Sequence, residues 1–409
     1  MTQISTSHLA AALTTAAALL PFSAKADWAG DFAASLEDTF KEMGVLYKAK
    51  KKKNPYIQEV SIFGRLHYQV SHSDGKVKGR FRDLDFHESG DELRRLRLGA
   101  KVEFLKDFEF SIRGNFEEGG YRNHDLGFRD MDEVYLTYTA DDLLTTEKLT
   151  VGYGIWKVPI GGEWALSSKE LRTVERAAIS NFYAPERATG AIFGAEWDDV
   201  ELFGGIYTAD DNDEGISSWN GGEAYYLGVE WDYGPGDLRL DYLKVNANPQ
   251  GSNDDSFNET SWATSLTWTT DWEPDFLPDD LELLATAIYG ETQAGHKVYG
   301  VVIQPSLFVI KDRLELVASY SWAHATANVF PGNNDNRGLQ AAYQEDIGAN
   351  PNNLVGDDYH SIYGGVNYHL VDKFMKVMVG VEYETLDNST EFGDDVEGTT
   401  VWGAFRFHF

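Results

Sequence analysis

From residue 56 onward, the chain repeatedly alternates between apolar and polar positions. In its final stretch, residues 399–409, Val401, Phe405 and Phe407 share one parity, whereas Arg406 and His408 fall on the other. Successive side chains of a strand point to opposite faces, so the pattern predicts a strand with one apolar and one polar face. The edge strand of a soluble sandwich would show the same pattern, so this stretch alone leaves both a membrane and a soluble protein open.

The same alternation recurs along the whole chain and predicts sixteen strands. They lie near residues 56–70, 95–104, 108–116, 132–138, 149–155, 190–197, 200–208, 223–232, 237–245, 260–269, 281–290, 297–306, 313–322, 359–370, 374–384 and 399–409. Most of these segments are close to the roughly nine to eleven residues that a tilted membrane-spanning strand needs. The apolar parity would then face lipid.

The connections between these segments alternate between short and long. Short turns are expected at 106–107, 198–199, 233–236, 311–312 and 371–373, and long loops at 71–91, 117–130, 158–189, 209–222, 246–259, 323–358 and 385–398. Turns on one rim and loops on the other are typical of outer-membrane barrels, whereas a soluble sandwich has no reason to sort its loops. The fold class predicted is therefore all-β: a transmembrane antiparallel β-barrel of about 16 strands around an aqueous channel, in the outer membrane.

The segment before the barrel has two expected parts. Residues 1–26 resemble a signal peptide, with an apolar run at 9–22 and an A-x-A site at 24–26. Residues 27–55 combine a short amphipathic α-helix, predicted over 28–47, with a lysine-rich stretch at 48–53. This part could drive self-association, fold into the pore mouth, bind lipid head groups or form a loosely held extension. The barrel domain is expected over 56–409.

Composition removes several classes of function. The chain has 409 residues, a formal net charge of −31 and no cysteine. Disulfides and Cys-ligated metals are therefore excluded, and nucleic-acid binding is disfavoured. The sequence contains no recognisable catalytic, dinucleotide-binding, phosphate-loop or metal motif. We therefore expect neither an enzyme nor a cofactor or metal.

Several motifs resemble the family of phosphate-selective porins, porins O and P. They are R-R-L-R-L-G at 94–99, D-E-V-Y-L-T-Y at 132–138, K-V-P-I at 157–160, S-S-K at 167–169 and E-R-A at 175–177. The resemblance covers about residues 60–230, and the later half matches only in strand rhythm. It implies a trimer of sixteen-stranded barrels, a third loop folded inward, and lumen-facing arginines and lysines that draw anions through. The chain departs from the family in its acidic balance and in an insertion at Gly154 and Ile155, so phosphate selectivity is not carried over.

The candidate pore-lining or solute-binding residues are basic side chains on the lumen parity or beside the loop at 158–189, the expected constriction. They are Arg95, Arg97, Lys101, Arg113, Lys157, Lys169, Arg172, Arg176 and Arg187. A column of cations in a narrow aqueous pore sets selectivity for anions. Two alternatives stay open: neutralisation by glutamates at 103, 109 and 133, and a loop folded outward. Arg94 falls on the lipid parity and is expected at the rim.

Within the loop, Ser167, Ser168 and Glu170 could start a short helix, which Leu171, Val174 and Ala178 would continue at helical spacing. The function predicted is passive diffusion of small hydrophilic solutes and ions, with the preference for anions such as phosphate or for cations left open. The alternative is a non-conducting structural or adhesion barrel. The expected partners are outer-membrane lipid, lipopolysaccharide, small solutes and two further copies of the chain.

Overall fold

Sixteen of the seventeen strands found in the described residues form a closed antiparallel barrel. The computed structural model describes residues 47–50 (backbone), 56–79, 83–117, 126–143, 145–185, 187–209, 219, 221–247, 257, 259–272, 281–330, 338–347, 355–371, 374–390 and 394–409. The strands are β1 (Tyr47–Lys50), β2 (Ile57–Gly79), β3 (Asp83–Phe104), β4 (Phe108–Glu117), β5 (Leu126–Asp141), β6 (Lys148–Lys157), β7 (Arg187–Trp197), β8 (Val200–Thr208), β9 (Gly222–Asp232), β10 (Asp237–Ala247), β11 (Thr260–Trp272), β12 (Leu281–Thr292), β13 (Lys297–Ile310), β14 (Leu314–Ala325), β15 (Asp358–Val371), β16 (Met375–Asp387) and β17 (Asp394–His408). The helices are α1 (Gly162–Ala165), α2 (Ala178–Phe182) and α3 (Gly338–Ile347).

Each strand from β2 to β17 pairs with its neighbours in sequence, and the last pairs with the first. The β17–β2 ladder runs from Asp394 opposite Gly79 to His408 opposite Arg65. Phe409 continues it by exchanging two backbone hydrogen bonds of 3.0 Å with Gly64. The predicted barrel and its sixteen strands are therefore confirmed.

The two faces of the wall differ in polarity as the alternation predicts. Apolar side chains are exposed on the outside, among them Leu98, Leu136 and Ile362, and aromatic rings such as Trp231 and Tyr383 lie towards the strand ends. Such rings favour the boundary between hydrocarbon and water. The opposite parity faces the lumen; it carries polar side chains such as Gln69 and Ser265, and apolar ones such as Leu243 and Val302 where the inward segments pack.

One predicted loop is largely strand. We expected a loop at 71–91, but β2 continues to Gly79 and β3 begins at Asp83, with Asp74 opposite His87 between them. Here the outward positions of β2 carry polar residues, including Asp74 and Lys76. A strand that has left the hydrocarbon no longer needs an apolar face, so the signal used to find strands disappears.

The helix predicted over 28–47 lies outside the described residues, except for Tyr47, which begins β1. This short strand pairs antiparallel with β2, from Tyr47 opposite Ile62 to Lys50 opposite Glu59. Among the described helices, none is both long and apolar enough to cross a bilayer.

Two connections fold into the lumen. The segment between β6 and β7 carries α1 and α2, and the connection between β14 and β15 carries α3. They meet where Phe330, before α3, packs against Phe182 of α2 with ring centroids 5.6 Å apart. Tyr343 of α3 packs on Phe86 of β3 at 5.6 Å. The apolar core of the molecule is therefore inside the barrel, around these two segments.

Candidate functional site

The segment after β6 is fixed to the wall by a buried carboxylate. Asp241 of β10 accepts hydrogen bonds from the backbone N–H of Gly161 at 3.1 Å and from the hydroxyls of Ser265 at 2.7 Å and Tyr226 at 2.5 Å. Arg239 donates to Asp241 at 2.9 Å and to the carbonyl of Pro159 at 2.8 Å. These bonds turn the chain inward directly after Lys157.

The helix expected from Ser167 to Ala178 is absent. The neighbouring helices end at Ala165 and begin at Ala178, and the residues between them form a turn at 168–170 and a bend at 172–175. Glu170 does accept a hydrogen bond from the backbone N–H of Ser167 at 3.3 Å, so the predicted cap contact forms without a helix behind it. The carbonyls that a helix would have satisfied internally are bonded to side chains of the barrel wall instead.

A cavity of about 190 Å³ lies between this segment and the wall formed by β2 to β7. Seven cationic side chains line it: Arg65, Arg95, Arg97, Arg113, Lys157, Arg176 and Arg187. Trp164, Ser167, Ser168 and Glu133 complete most of its surface. We call this space the basic constriction.

Two β-bulges concentrate charge at the basic constriction. The first lies where the β2–β3 register passes from His67 opposite Arg95 to Tyr68 opposite Leu93, which leaves Arg94 without a partner in the ladder. A bulge redirects side chains, and Arg94 binds Glu175 of the inward segment at 2.8 Å. The expectation that Arg94 sits at the lipid-side rim is therefore wrong.

The second bulge adds carboxylates. The β4–β5 register shifts after Arg113 opposite Glu133 and leaves Asp132 out of the ladder. Both carboxylates then face the lumen. Asp132, which is 2% exposed, contacts Arg97 at 3.2 Å, Arg187 at 3.2 Å and Arg113.

Three of the seven cations are thus paired with carboxylates. Besides Asp132, Arg113 contacts Glu133 at 2.7 Å and Arg187 contacts it at 3.5 Å. Neutralisation by Glu133, one of the two alternatives considered from the sequence, holds for this part of the site.

The other four cations bond to neutral acceptors. Arg65 donates to the Ser168 hydroxyl at 2.6 Å, and Arg95 lies 3.4 Å from Nδ1 of His67. Lys157 donates to the carbonyl of Leu166 at 2.6 Å, and Arg176 donates to the carbonyl of Glu163 at 2.8 Å.

Within the described part of the chain, none of these four has a carboxylate oxygen within 4.0 Å. Their positive charge is therefore available to an anion in the cavity.

Trp164 supports two of these cations. The guanidinium carbon of Arg176 is 4.6 Å from the centre of the indole ring, and Nζ of Lys157 is 5.4 Å from it. Cations over an aromatic face are stabilised without a counter-charge. Trp164 thus holds cations without neutralising them.

Three predicted site residues lie elsewhere. Lys101 contacts Glu109 at 3.1 Å and Glu103 at 3.5 Å. Arg172 pairs with Glu282 and approaches Glu315 at 3.8 Å, on the far side of the lumen. Lys169 is 4.0 Å from Glu170 and is 40% exposed.

Arg65 was not among the candidates, although its parity pointed inward. It lies opposite Arg97 in the β2–β3 ladder, which is the signal that would have identified it.

The chemistry of the site is that of charge recognition. A group of at least three His, Asp or Glu side chains able to hold a metal ion does not occur among the residues that the structure describes. Arginine presents several N–H donors in a fixed plane and suits oxyanions, while serine hydroxyls add neutral donors. The basic constriction can therefore bind and orient a small anion in an aqueous channel.

Comparisons with known proteins agree with the barrel. The model of the family described as phosphate-selective porin O and P matches residues 60–345. The fold is similar to that of the outer membrane channel DcaP of Acinetobacter baumannii, with a TM-score of 0.55, 14% identity, and coverage of 88% of this chain and 100% of that one. It is also similar to an anion-selective porin from Comamonas acidovorans, with a TM-score of 0.52, 14% identity, and coverage of 86% and 99%. None of the curated proteins matches the sequence.

Proposed function

The chain belongs to the phosphate-selective porin O and P family of the bacterial outer membrane, and from this premise we propose that its channel passes small anions in preference to cations. The solutes would be small and hydrophilic, with inorganic phosphate among them, and would move by passive diffusion. The basic constriction would set the preference.

One observation carries this proposal: among the residues that the structure describes, no carboxylate oxygen lies within 4.0 Å of four of the seven cations at the constriction. The seven cations around the cavity are also close together. Arg65 and Arg97 lie directly opposite in the ladder, where Cβ atoms are about 4.5–5.5 Å apart and like charges repel. A passing anion relieves that repulsion, whereas a cation increases it. The low-dielectric wall strengthens both effects.

The direct test is the reversal potential of single channels in a planar bilayer under a KCl gradient. We expect the sign that indicates chloride selectivity, and inorganic phosphate should reduce the chloride current by competing for the same cations. A cation-selective reversal potential would overturn the proposal. A barrel that inserts but never conducts would favour the alternative of a structural or adhesion protein.

The double substitution Arg65→Gln and Arg95→Gln removes two of the cations that contact no carboxylate in the described part of the chain. We expect the reversal potential to move towards cation selectivity. Lys101→Gln is the control, because it removes a lumen cation whose contacts are Glu103 and Glu109. If both variants shift the reversal potential equally, overall lumen charge sets selectivity and the constriction does not.

We also propose that the chain works as a homotrimer surrounded by outer-membrane lipid and lipopolysaccharide. The family relationship supports this assembly, and the exposed apolar wall suits such surroundings. The mass of the detergent-solubilised protein, measured by light scattering with the detergent contribution subtracted, should be three times that of one chain. A mass of one chain would contradict the trimer.

A further inference from the structure

The middle of the inward segment presents a row of backbone carbonyls to the barrel wall. Residues 168–174 form turns and a bend rather than a helix or strand, so most of their carbonyls have no regular backbone partner. Buried carbonyls require hydrogen-bond donors. Those of Ser168, Leu171, Thr173 and Val174 all accept from one side chain, that of Arg406 on β17.

Arg406 fits this position because of its shape. One terminal nitrogen donates to Ser168 at 3.3 Å and to Leu171 at 3.1 Å, and the other donates to Thr173 at 3.2 Å and to Val174. A planar guanidinium carries five N–H donors in a fixed fork, whereas a lysine has three donors on one atom. Arg406 is 3% exposed, so it does not line the cavity itself.

Neighbouring strands reinforce this attachment. Lys376 of β16 donates to the Leu171 carbonyl at 2.7 Å, and Asn367 of β15 donates to the Arg172 carbonyl at 2.8 Å. The Val174 side chain is fully buried in an apolar group that includes Met378 and Trp402. The segment is therefore held to β15, β16 and β17 at consecutive residues.

We propose that Arg406 is a positioning residue for the basic constriction. By binding four carbonyl oxygens between residues 168 and 174, it fixes the segment that carries Ser167, Ser168 and Arg176, which form one side of the cavity. Arg406 acts on the permeating anion through that segment and does not contact it. The inference rests on the proposed function for its electrical readout alone.

The first test follows the position of the segment without any current. The chain has no cysteine, so Ser167→Cys places a single thiol in the cavity wall. We expect a charged thiol reagent to label this cysteine faster when Arg406→Gln is added, by about ten-fold or more, since each hydrogen bond from a charged donor stabilises the docked segment by at least that factor. Equal labelling rates would overturn the proposal.

The second test is electrical and separates position from charge. Arg406→Gln should raise single-channel conductance and open-channel noise. Lys101→Gln, which also removes one lumen cation, should leave the noise unchanged. Arg406→Lys keeps the positive charge but lacks the planar guanidinium. Its conductance and open-channel noise should therefore lie between those of Arg406→Gln and those of the unsubstituted protein. If Arg406→Lys has the same noise as the unsubstituted protein, the charge alone is sufficient and a role for the guanidinium geometry is contradicted.

Failure to fold is recognised independently, because a folded barrel migrates differently on gels before and after boiling. If Arg406→Gln does not fold, Asn367→Ala removes a single hydrogen bond to the same segment and should produce a smaller rise in labelling. If the unsubstituted channel shows no preference for anions, the proposed function is wrong. The labelling rates would still test whether Arg406 positions the segment.

Discussion

Single buried charges shape the constriction, and Asp132 shows how. It lies in a bulge of β5 and contacts arginines that come from β3, β4 and the start of β7. A carboxylate shared by three guanidinium groups holds them in place and also lowers their attraction for a solute. On the proposed function, Asp132 would order this part of the wall and reduce the preference for anions.

Asp132→Asn should separate these two roles. We expect a stronger anion preference in the reversal potential, because three arginines lose a counter-charge. We also expect the free energy of unfolding to fall by about 3 kcal/mol, the usual effect of breaking a buried ion pair. Asp130→Asn is the matched control, since Asp130 contacts Asn115 and Arg129 and is more exposed. If the two variants change the reversal potential and the unfolding free energy equally, the contacts of Asp132 with the three arginines do not account for the changes.

Glu163 gives the inward segment a dependence on pH. It is 1% exposed and accepts hydrogen bonds from the Ala177 N–H at 3.0 Å and from Gln304 at 3.3 Å. Burial raises the pKa of Glu163 above its ordinary value, against the effect of these donors and of Arg176. A raised pKa in the folded state means that the segment is docked most firmly below the ordinary pKa and loses stability as the pH rises through the raised value.

Channel noise should therefore decrease as the pH is lowered from neutral towards the ordinary carboxyl value of about 4.3. Glu163→Gln imitates the protonated side chain and should make the noise low and independent of pH over this range. Noise that varies with pH in the Gln variant as it does in the unsubstituted protein would assign the effect to another group.

At the residue scale, sequence parity predicted some positions and missed others for identifiable reasons. The parity of Arg95 and Arg97 followed from the alternation, and the structure brings both to the cavity. Arg94 was misplaced because a bulge breaks the alternation locally. Arg172 lies in an irregular segment, where no period relates a residue to a face, so its partners Glu282 and Glu315 could not be foreseen.

At the element scale, the inward segment depends on a tight approach at its start. Gly161 has a φ of +78°, a conformation that favours glycine. A Cβ on Gly162 would lie 2.6 Å from Oγ1 of Thr286 and 2.7 Å from Cγ2 of Thr267. The chain can therefore turn towards the lumen here because residue 162 has no side chain.

Gly162→Ala should push α1 away from the wall. We expect greater channel noise and a loss of about 1–3 kcal/mol in unfolding free energy, as for other overpacked sites. Adding Thr267→Ser and Thr286→Ala removes the two nearest atoms and should restore the original noise. Gly364→Ala, where a Cβ meets no atom within 4 Å, is the control. Persistent noise in the triple variant would point to lost backbone freedom rather than to crowding.

Whole strands were more predictable than the segments between them. Each of the sixteen expected strands corresponds to one observed strand, because the lipid outside and the water inside impose the same alternation on all of them. The helix expected around Ser168 does not form, because a contact from a distant strand outweighs the local signal. Its local cap and spacing were right for a helix, but Arg406 offers the carbonyls another set of donors from a strand more than two hundred residues away.

At the scale of the whole molecule, a basic constriction is embedded in a strongly acidic chain. The formal net charge is −31, yet seven cations surround one small cavity. Distance decides which charge a solute experiences. Screening reaches about 10 Å at 0.1 M salt and about 3 Å at 1 M, so within the constriction the near cations dominate at moderate salt.

The anion preference should therefore weaken with salt. Reversal potentials measured across gradients of the same ratio, centred near about 0.1 M and near about 1 M, should give a smaller permeability ratio at the higher concentration. In the double variant Arg65→Gln and Arg95→Gln, the permeability ratio should change less with salt concentration. A ratio unaffected by salt would mean that size exclusion, rather than charge, selects the solute.

The long hairpin of β2 and β3 has a consequence outside the membrane. β2 has 23 residues, which at a tilt of about 45° rise roughly 50 Å along the membrane normal, against a hydrocarbon thickness of about 30 Å. The surplus projects beyond the hydrocarbon, where β17 pairs with β2, α3 lies against the sheet, and the strands carry acidic and basic side chains. On a cell, such a projection would offer an antibody a surface of paired strands.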